Sequence, residues 1–451
     1  MLAAPQLPRD LQGRVLTPAD AAYEEARAVF AAHIDRRPAL IARVAGPDDI
    51  ARVIDHARET GSELAVRGGG HSPAGHGVSD GGVVIDVSTL RSFELDAAGR
   101  TAWAGAGLTA GAFTAAAGEH GLATGFGDTG SVGIGGITLA GGIGFLVRKH
   151  GLTVDSLLAA EIVTADGRLR RVDAQAEPEL FWALRGGGGN FGVVTRLQYR
   201  LHPVDAILGG VLVLPATPET ITGFVAAAEA APDELSTIAN VMLAPPLPFL
   251  AESRHGTPVL MVRLAYAGDA RAGQRAVAPL RALAEPLADL VRPMRYREMF
   301  PDEERHGLAP VARTMFAGGL GAREAETSLE RLGESSAIIA ACEIRVLGGA
   351  MARVPADATA FAHRRSPLMI NVGAIYDPST SDRSEHAAWV HGLAAELDDG
   401  SGAYAGLLAD EGPERVRAAY PGATWERLAA VKAAYDPENL FRLNQNVPPA
   451  S

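Results

Sequence analysis

The sequence predicts an α+β protein of two domains, and three observations support this prediction. The chain has 451 residues, which is two to three times the length of a typical domain. Over residues 1–205, short apolar strands alternate with helices and glycine-rich loops. From residue 206 the glycine loops stop, and longer apolar strands alternate with helices as far as residue 424, where we place the boundary to a C-terminal helix and tail at 425–451.

Several elements of the predicted fold have clear individual signals. A strand is predicted at 39–44, and the helix after it has Ile50, Val53 and Ile54 at helical spacing, with Gly61 placed to end it. Residues 161–172 alternate in the manner of a hairpin with Asp-Gly at its turn. In the second half, an alanine-rich helix is predicted over 271–290.

Composition and charge exclude several classes of function. Hydrophobic residues make up 47% of the chain and charged residues 21%, which excludes bulk disorder. A net charge of −12 is unlike that of a nucleic-acid-binding protein. Cys342 is the only cysteine, so neither an intramolecular disulfide nor a cysteine-rich zinc site can form. We therefore expect small-molecule partners and no nucleic acid.

Membrane association and export are not predicted either. The uncharged run at 129–147 contains seven glycines, which suits a ligand-lining loop better than a bilayer helix. The N-terminal segment MLAAPQLPRDLQGRV contains prolines and charges where a signal peptide needs an unbroken apolar stretch. The sequence thus predicts a cytoplasmic protein and leaves its oligomeric state open.

Glycine is the unusual component, and it is clustered. The chain has 52 glycines, about 12% against a typical 7%, with no collagen-like period. They concentrate at 68–70, 130–144 and 186–192. The first cluster directly follows an apolar strand, where backbone N–H groups can surround a pyrophosphate and Arg67 can offset its charge. A simple turn capped by Ser72 is the alternative for this loop.

A second glycine motif resembles the dinucleotide fingerprint but lacks its context. Gly105, Gly107 and Ala110 have the G-x-G-x-x-A spacing, and Asp128 follows at about the right distance. The fingerprint needs a parallel strand before the acidic residue, however, and glycine loop stands there instead. A tight strand-to-helix turn is the preferred interpretation.

Five stretches of the chain resemble the covalent flavoprotein oxidases related to 6-hydroxy-D-nicotine oxidase and berberine bridge enzyme, in the vanillyl-alcohol oxidase and p-cresol methylhydroxylase superfamily. These stretches are VRGGGHSPAGHG, VVIDVSTL, GSVGIGGITLAGGIGFLVRKHGLTVD, ELFWALRGGGGNFGVVT and YDPENLFRLNQNVPP. The resemblance implies an FAD-binding domain and a substrate domain built on an antiparallel sheet covered by helices. It also implies that the C-terminal tail returns to the FAD-binding domain.

The resemblance also implies how FAD is held. His71 matches the histidine that bonds to the 8α-methyl group of FAD in this family, and Thr129 stands where some relatives carry a second, cysteine attachment, so a single bond is expected. Val132 matches a small residue associated with oxygen access. The positions assigned to the cofactor are Arg67, Gly68, Gly69, Gly70, His71, Ser72, Gly130, Ser131, Val132, Gly135, Gly136, Gly141, Gly142, Gly144, Val163, Asn444 and Asn446.

The proton acceptor is the least defined part of the predicted site. Many relatives carry a Y-x-N-Y-like stretch with a tyrosine base, and the matching residues here run from Tyr404 to Leu407, which has no hydroxyl. Tyr404 itself, Tyr376, or the pair Glu343 and Arg345 are the alternatives. Strand alternation would place that pair on one face.

The resemblance implies an FAD-dependent oxidase that takes hydride from a small heterocyclic, phenolic or alkaloid-like alcohol or amine. Reduced flavin would then pass its electrons to O₂ and produce H₂O₂. A dehydrogenase that uses a quinone or carrier protein is the first alternative. A flavoprotein that sequesters a ligand without turnover is the second.

Overall fold

The computed structural model describes residues 11–204, 206–300 and 307–450. The N-terminal segment on which the export prediction rests therefore lies mostly outside the described residues. Among the helices that the structure does describe, none has both the length and the apolar character that a bilayer crossing requires.

The described chain combines helices with largely antiparallel sheets, which confirms the α+β class. The strands are β1 (Arg14–Leu16), β2 (Leu40–Arg43), β3 (Leu64–Arg67), β4 (Val83–Asp86), β5 (Phe93–Asp96), β6 (Thr101–Gly105), β7 (Leu122–Ala123), β8 (Leu157–Val163), β9 (Leu169–Asp173), β10 (Val193–Arg200), β11 (His202–Pro203), β12 (Ala206–Pro215), β13 (Leu235–Leu243), β14 (Pro258–Tyr266), β15 (Ala288–Asp289), β16 (Arg292–Arg295), β17 (Ala309–Ala317), β18 (Ile339–Val346) and β19 (Leu368–Tyr376). The helices are α1 (Tyr23–Arg27), α2 (Pro47–Thr60), α3 (Ala110–Gly118), α4 (Ile134–Ala140), α5 (Val147–His150), α6 (Pro178–Leu184), α7 (Pro218–Glu229), α8 (Ala270–Arg281), α9 (Ala322–Leu332), α10 (Ala350–Arg353), α11 (Arg383–Leu397), α12 (Pro413–Ala419) and α13 (Ala423–Tyr435).

The first sheet has the strand order β1-β2-β4-β3 and carries the first glycine cluster at its edge. Strands β2, β4 and β3 are parallel, and α2 connects β2 to β3. Helix α2 begins with a proline and ends at Gly61, whose φ of +65° is the left-handed conformation that glycine adopts most easily. Its apolar face is buried, as predicted.

The second sheet has the order β5-β6-β10-β8-β9 and is antiparallel throughout its described pairs. The predicted hairpin is present as β8 and β9. Strand β6 pairs antiparallel with both neighbours before it leads into α3, so Gly105 and Gly107 lie in a strand-to-helix turn rather than in a parallel dinucleotide-binding unit.

The largest sheet has the order β15-β12-β14-β13-β18-β19-β17, with β16 also paired to β12. Alternate residues of its central strands pack against α7, α8, α9 and α11 and form one hydrophobic core. The predicted helix at 271–290 is shorter than expected. It ends as α8 at Arg281, because the chain leaves the helix so that Ala288–Asp289 can pair with β12.

The opposite face of this sheet meets the glycine-rich half of the chain. Met369 and Phe316 pack against residues 143–154, and the guanidinium of Arg148 donates to the backbone oxygens of Leu347 and Ala231. Ala403, Leu408 and Tyr420 join the same hydrophobic core as residues 40–201. The chain therefore returns to the first half before the predicted boundary at 424, and that boundary stays a prediction.

Two histidines stack face to face near the junction of the two halves. The rings of His150, at the end of α5, and His202, in β11, have centroids 3.9 Å apart and planes 12° apart. Burial lowers the pKa of His150 to about 3 and that of His202 to about 4, and the positive charge of Lys149 adds to both shifts. Both rings are therefore neutral in the folded protein at pH 7.

This stack predicts a loss of stability in mild acid. Unfolded histidines bind protons as the pH falls below about 6.5, whereas the folded rings stay neutral until about pH 4. Unfolding becomes more favourable across that window. The variant His150→Phe keeps a ring in the stack and removes the titrating group. We expect its free energy of unfolding, relative to that of the wild type, to be about 1 kcal/mol more favourable to the folded state at pH 5 than at pH 7.5.

Chemical denaturation at the two pH values measures this difference. The exposed His120→Phe variant is the matched control, because it removes a histidine that is not stacked. If the His150 variant changed the free energy of unfolding equally at both pH values, protonation of the stack would not contribute to the pH dependence of stability.

Candidate functional site

Two glycine loops meet backbone to backbone at the centre of the candidate site. A Cβ atom on Gly69 would lie 2.4 Å from the amide nitrogen of Gly133, and a Cβ on Gly133 would lie 2.5 Å from that of Gly69. Neither position can carry a side chain without moving the other loop. The cluster after β3 and the cluster before α4 are thus parts of one surface.

The amide groups of these loops are available to a ligand. The N–H groups of Gly68, Gly69, Gly70, Val132 and Gly133 find no acceptor in residues 11–204, 206–300 and 307–450. Amides that are enclosed by protein are rarely left unpaired. Converging N–H groups of this kind bind the oxygens of an anion such as a pyrophosphate.

The predicted charge partner of this surface also has a structural role. Arg67 is buried, and its guanidinium donates to the backbone oxygens of Ala26 and Ala28, at 2.7 Å for Ala28. These bonds tie the segment after α1 to the glycine loop. The interpretation of Arg67 as a pyrophosphate counter-ion stays a prediction.

His71 follows the first glycine cluster and is partly exposed. Its ring stacks on Phe30, with centroids 4.6 Å apart and planes 22° apart. The neighbouring Ser72 hydroxyl accepts a bond from the amide of His76 at 3.3 Å, which is the capping role considered from the sequence. The loop therefore presents the His71 imidazole at its open end, and stacking on the Phe30 ring limits the rotation of this imidazole.

The remaining predicted cofactor residues divide into two groups. Val132, Gly135 and Gly136 stand near the shared loop surface. The backbone oxygen of Val132 accepts a bond from the amide of Ala110, and Gly135 lies against Ala106. A Cβ on Gly136 would meet nothing within 4 Å. Val163 instead ends β8 inside the core, paired to β9 and β10. The structure does not bring its side chain to the loops.

The loop at 141–144 joins the site to a tyrosine from the other end of the chain. Gly144 packs against the backbone of Gly127, and Gly127 lies just before the second glycine cluster in the sequence. The hydroxyl of Tyr404 accepts a bond from the amide of Gly142 at 3.1 Å. Burial raises the pKa of Tyr404, although this amide and the charge of Arg345 oppose the shift. The phenol is thus a neutral group at pH 7 and a weak base.

A charged cluster faces these loops from the large sheet. Arg345 is only 8% exposed, and it donates to Glu343 at 2.7 Å, to Asp128 at 3.2 Å and to the Ile143 oxygen at 3.4 Å. Arg263 lies 3.5 Å from the Asp128 carboxylate. Burial disfavours the charged guanidinium, but the two carboxylates outweigh it and raise the pKa of Arg345. Glu343 and Arg345 share one strand face, as predicted.

Tyr376 is not part of this constellation. It lies on the helix-covered face of β19, where its ring stacks on His386 at 4.5 Å. Residues two apart on a strand share a face, so Tyr376 points away from the face that carries Asn371 and Met369. The proposed catalytic use of Tyr376 is therefore contradicted by its placement.

Asp128, Arg263, Asn240 and Asn371 belong to the site and were missed from the sequence. Asp128 was considered only as a fingerprint residue. Asn371 is the single amide in the largely apolar strand β19, and Asn240 lies in the apolar second half of β13; that irregularity is the signal that could have identified them.

The third glycine cluster receives the C-terminal tail. The Asn190 side chain bonds to the Gln445 oxygen at 3.1 Å and to the Val447 amide at 2.9 Å, and Asn444 donates to the Gly189 oxygen at 3.1 Å. The tail thus folds back onto the first half, as the resemblance implied. The side-chain oxygens of Asn444 and Asn446 are buried and find no partner in the part of the chain that the structure describes.

One buried ammonium group fastens this return. Lys432, in α13, is fully buried and donates to Asp436 at 2.7 Å, to the Asn190 oxygen at 2.7 Å and to the Phe441 oxygen at 2.8 Å. All three of its protons have acceptors, which a buried charge requires. Helix, tail and glycine loop are therefore connected at one point.

The arrangement fits FAD. Unpaired amides converge where a pyrophosphate would bind, His71 is accessible, and the unpartnered oxygens of Asn444 and Asn446 can accept from ring N–H groups. Together these features supply an anion cradle and polar contacts for a large ligand. No group of three or more His, Cys, Asp or Glu residues in the described ranges is suited to hold a metal ion.

Comparison with known proteins identifies the same two parts of the chain. A family model for the FAD binding domain matches residues 38–173, and a model described as berberine and berberine like matches residues 403–448. The (R)-6-hydroxynicotine oxidase of Paenarthrobacter nicotinovorans is 30% identical over 470 residues, which cover 98% of each chain.

Solved structures agree over nearly the full length. The crystal structure of 6-hydroxy-D-nicotine oxidase from Arthrobacter nicotinovorans has a TM-score of 0.89 at 29% identity and covers 98% of this chain and 99% of that one. A chitooligosaccharide oxidase has a TM-score of 0.84 at 22% identity, over 97% and 98% of the two chains. The second likeness establishes the shared fold.

Proposed function

The chain belongs to the family of FAD-linked oxidoreductases that includes (R)-6-hydroxynicotine oxidase, and on this premise we propose that it is an oxidase of a small organic compound. The observation that carries the proposal is the surface of unpaired amides on the two glycine loops, together with the charged cluster of the large sheet, which bonds to Asp128 and to the Ile143 oxygen on either side of the second loop. Such an arrangement can hold a redox cofactor on one side and a substrate on the other.

We propose that Gly68–Gly70 and the loop before α4 hold the FAD pyrophosphate, that Asn444 and Asn446 contact the isoalloxazine, and that His71 forms the only covalent bond. Bound FAD supplies a two-electron acceptor for a substrate C–H bond. Phe30 limits the rotation of the His71 ring, and Thr129 offers no second attachment.

We propose Glu343 as the proton acceptor. Its carboxylate lies on the cleft-facing side of β18 and is partly exposed, so it can reach substrate while Arg345 fixes its orientation. Tyr404 is less suited, because burial raises the pKa of its hydroxyl and that oxygen is already bonded to Gly142. We assign Tyr404 the role of a positioning residue for the 141–144 loop.

Covalent attachment through His71 is tested by denaturing the purified holoenzyme in acid. We expect yellow, fluorescent protein in the precipitate of the wild type and of His76→Ala, which removes the other histidine of the same loop. His71→Ala should release its flavin to the supernatant, because the methyl group of alanine cannot bond to the cofactor. Flavin retained by the His71 variant would contradict the assignment.

The role of Glu343 predicts a specific kinetic defect. We expect Glu343→Gln to slow anaerobic flavin reduction by about a hundredfold or more, since the amide cannot accept the proton. Stopped-flow absorbance of the flavin measures this rate. Glu330→Gln, on the exposed side of α9, should leave the rate unchanged. A Glu343 variant that reduces its flavin at the full rate would exclude this role.

The oxidase assignment is tested on the reduced enzyme. Mixing with air-saturated buffer should restore the oxidised flavin within seconds and release one peroxide per flavin, since an oxidase passes its electrons to O₂. Reoxidation that takes many minutes, with rapid electron transfer to a quinone, would identify a dehydrogenase instead.

A further inference from the structure

A row of polar side chains crosses the cleft-facing side of the large sheet. Asn240 of β13 lies directly opposite Glu343 of β18, and Glu343 lies directly opposite Asn371 of β19. Directly opposed residues share a face, and neighbouring strands are about 4.8 Å apart, so the row spans about 10 Å. Thr314 of β17 and Met261 of β14 continue it at the two ends.

The side chains of this row are partly accessible to solvent, whereas the neighbouring side chain on the same face of β18 is buried. Asn240, Glu343 and Asn371 are each partly exposed, although Arg345, two residues along β18 from Glu343, is buried. The side-chain amide of Asn371 has no hydrogen-bond partner in the described ranges, and its oxygen is shielded from solvent. A ligand in the cleft would therefore meet a side-chain amide for which no described residue competes.

The charges around the row cancel. The carboxylates of Glu343 and Asp128 are matched by the guanidinium groups of Arg345 and Arg263. The Tyr404 hydroxyl, which faces the same cluster, is neutral at pH 7 because burial raises its pKa. A ligand that brings a net charge would find no uncompensated partner in this group, and desolvating an unpaired charge is costly.

We propose that the cleft selects an uncharged substrate, an alcohol whose hydroxyl donates to Glu343 and whose remote polar group bonds to Asn371. This inference rests on the proposed function and narrows its substrate class, excluding ammonium and carboxylate compounds. When bound, FAD would accept the hydride of the carbinol C–H bond, the hydroxyl proton would pass to Glu343, and a carbonyl compound would remain.

Binding to the oxidised holoenzyme tests this selection without turnover. The probes are 4-hydroxybenzamide, 4-hydroxybenzamidine and 4-hydroxybenzoate, which have nearly the same shape and carry charges of zero, plus one and minus one at pH 7.5. Titration against the flavin absorbance band gives each dissociation constant. We expect the amide to bind at least tenfold more tightly than either ion. Tighter binding of either ion, or no binding of the amide, would overturn the proposal.

Two substitutions shift the charge of the row in opposite directions. Glu343→Gln leaves one excess positive charge, so the affinity for the benzoate should rise at least tenfold relative to the affinity for the amide. Asn371→Asp adds one negative charge, so the amidine should gain by a similar factor. Glu330→Gln makes the same charge change on the exposed side of α9 and should leave the order of the three probes unaltered.

An order of affinities that does not move in Glu343→Gln would contradict the proposal even if Asn371→Asp fails to fold. These titrations use no reduced flavin and no oxygen. A protein that binds the probes in the expected order but never reduces its flavin would retain the inference about charge and lose the proposed oxidase function.

Discussion

The contact between Gly69 and Gly133 is the constraint on which the rest of the site depends. Two loops from different parts of the fold approach until a single methyl group on either would force them apart. The amides of Gly68–Gly70, Val132 and Gly133, on these two adjoining loops, find no partners among the described residues. The site thus exists because two glycines face each other, and the helices and sheets around them hold that contact in register.

The sequence was sufficient for the elements with strong periodicity. Helix α2, with its apolar face and Gly61 stop, and the β8–β9 hairpin follow directly from local signals. The end of α8 at Arg281 does not follow from the local pattern, because it depends on the pairing of Ala288–Asp289 with β12, a contact between distant parts of the chain. The family resemblance correctly implied that Asn444 folds back, which the polar composition of the tail alone did not indicate.

Long-range geometry explains the remaining differences. Arg67 stands beside a glycine cluster in the sequence, but its direction depends on the carbonyls of Ala26 and Ala28, which no local pattern could reveal. Tyr404 and Tyr376 were the predicted catalytic residues, with the pair Glu343 and Arg345 as a further alternative, and the sheet register places Tyr376 and Glu343 on opposite faces. Asp128 became part of the site only through Arg345, which lies on β18 in the other half of the chain.

The Lys432 network has a consequence for how the protein is made. The ammonium group joins α13 to Asn190 and Phe441, so the third glycine loop acquires its partners only when the C-terminal end of the chain is present. During synthesis the three glycine clusters leave the ribosome before the C-terminal end does, and their loop backbone stays exposed while the large sheet is translated. The cofactor site is therefore completed after synthesis, and loss of the tail that follows α13 would leave a nearly full-length chain unable to finish it.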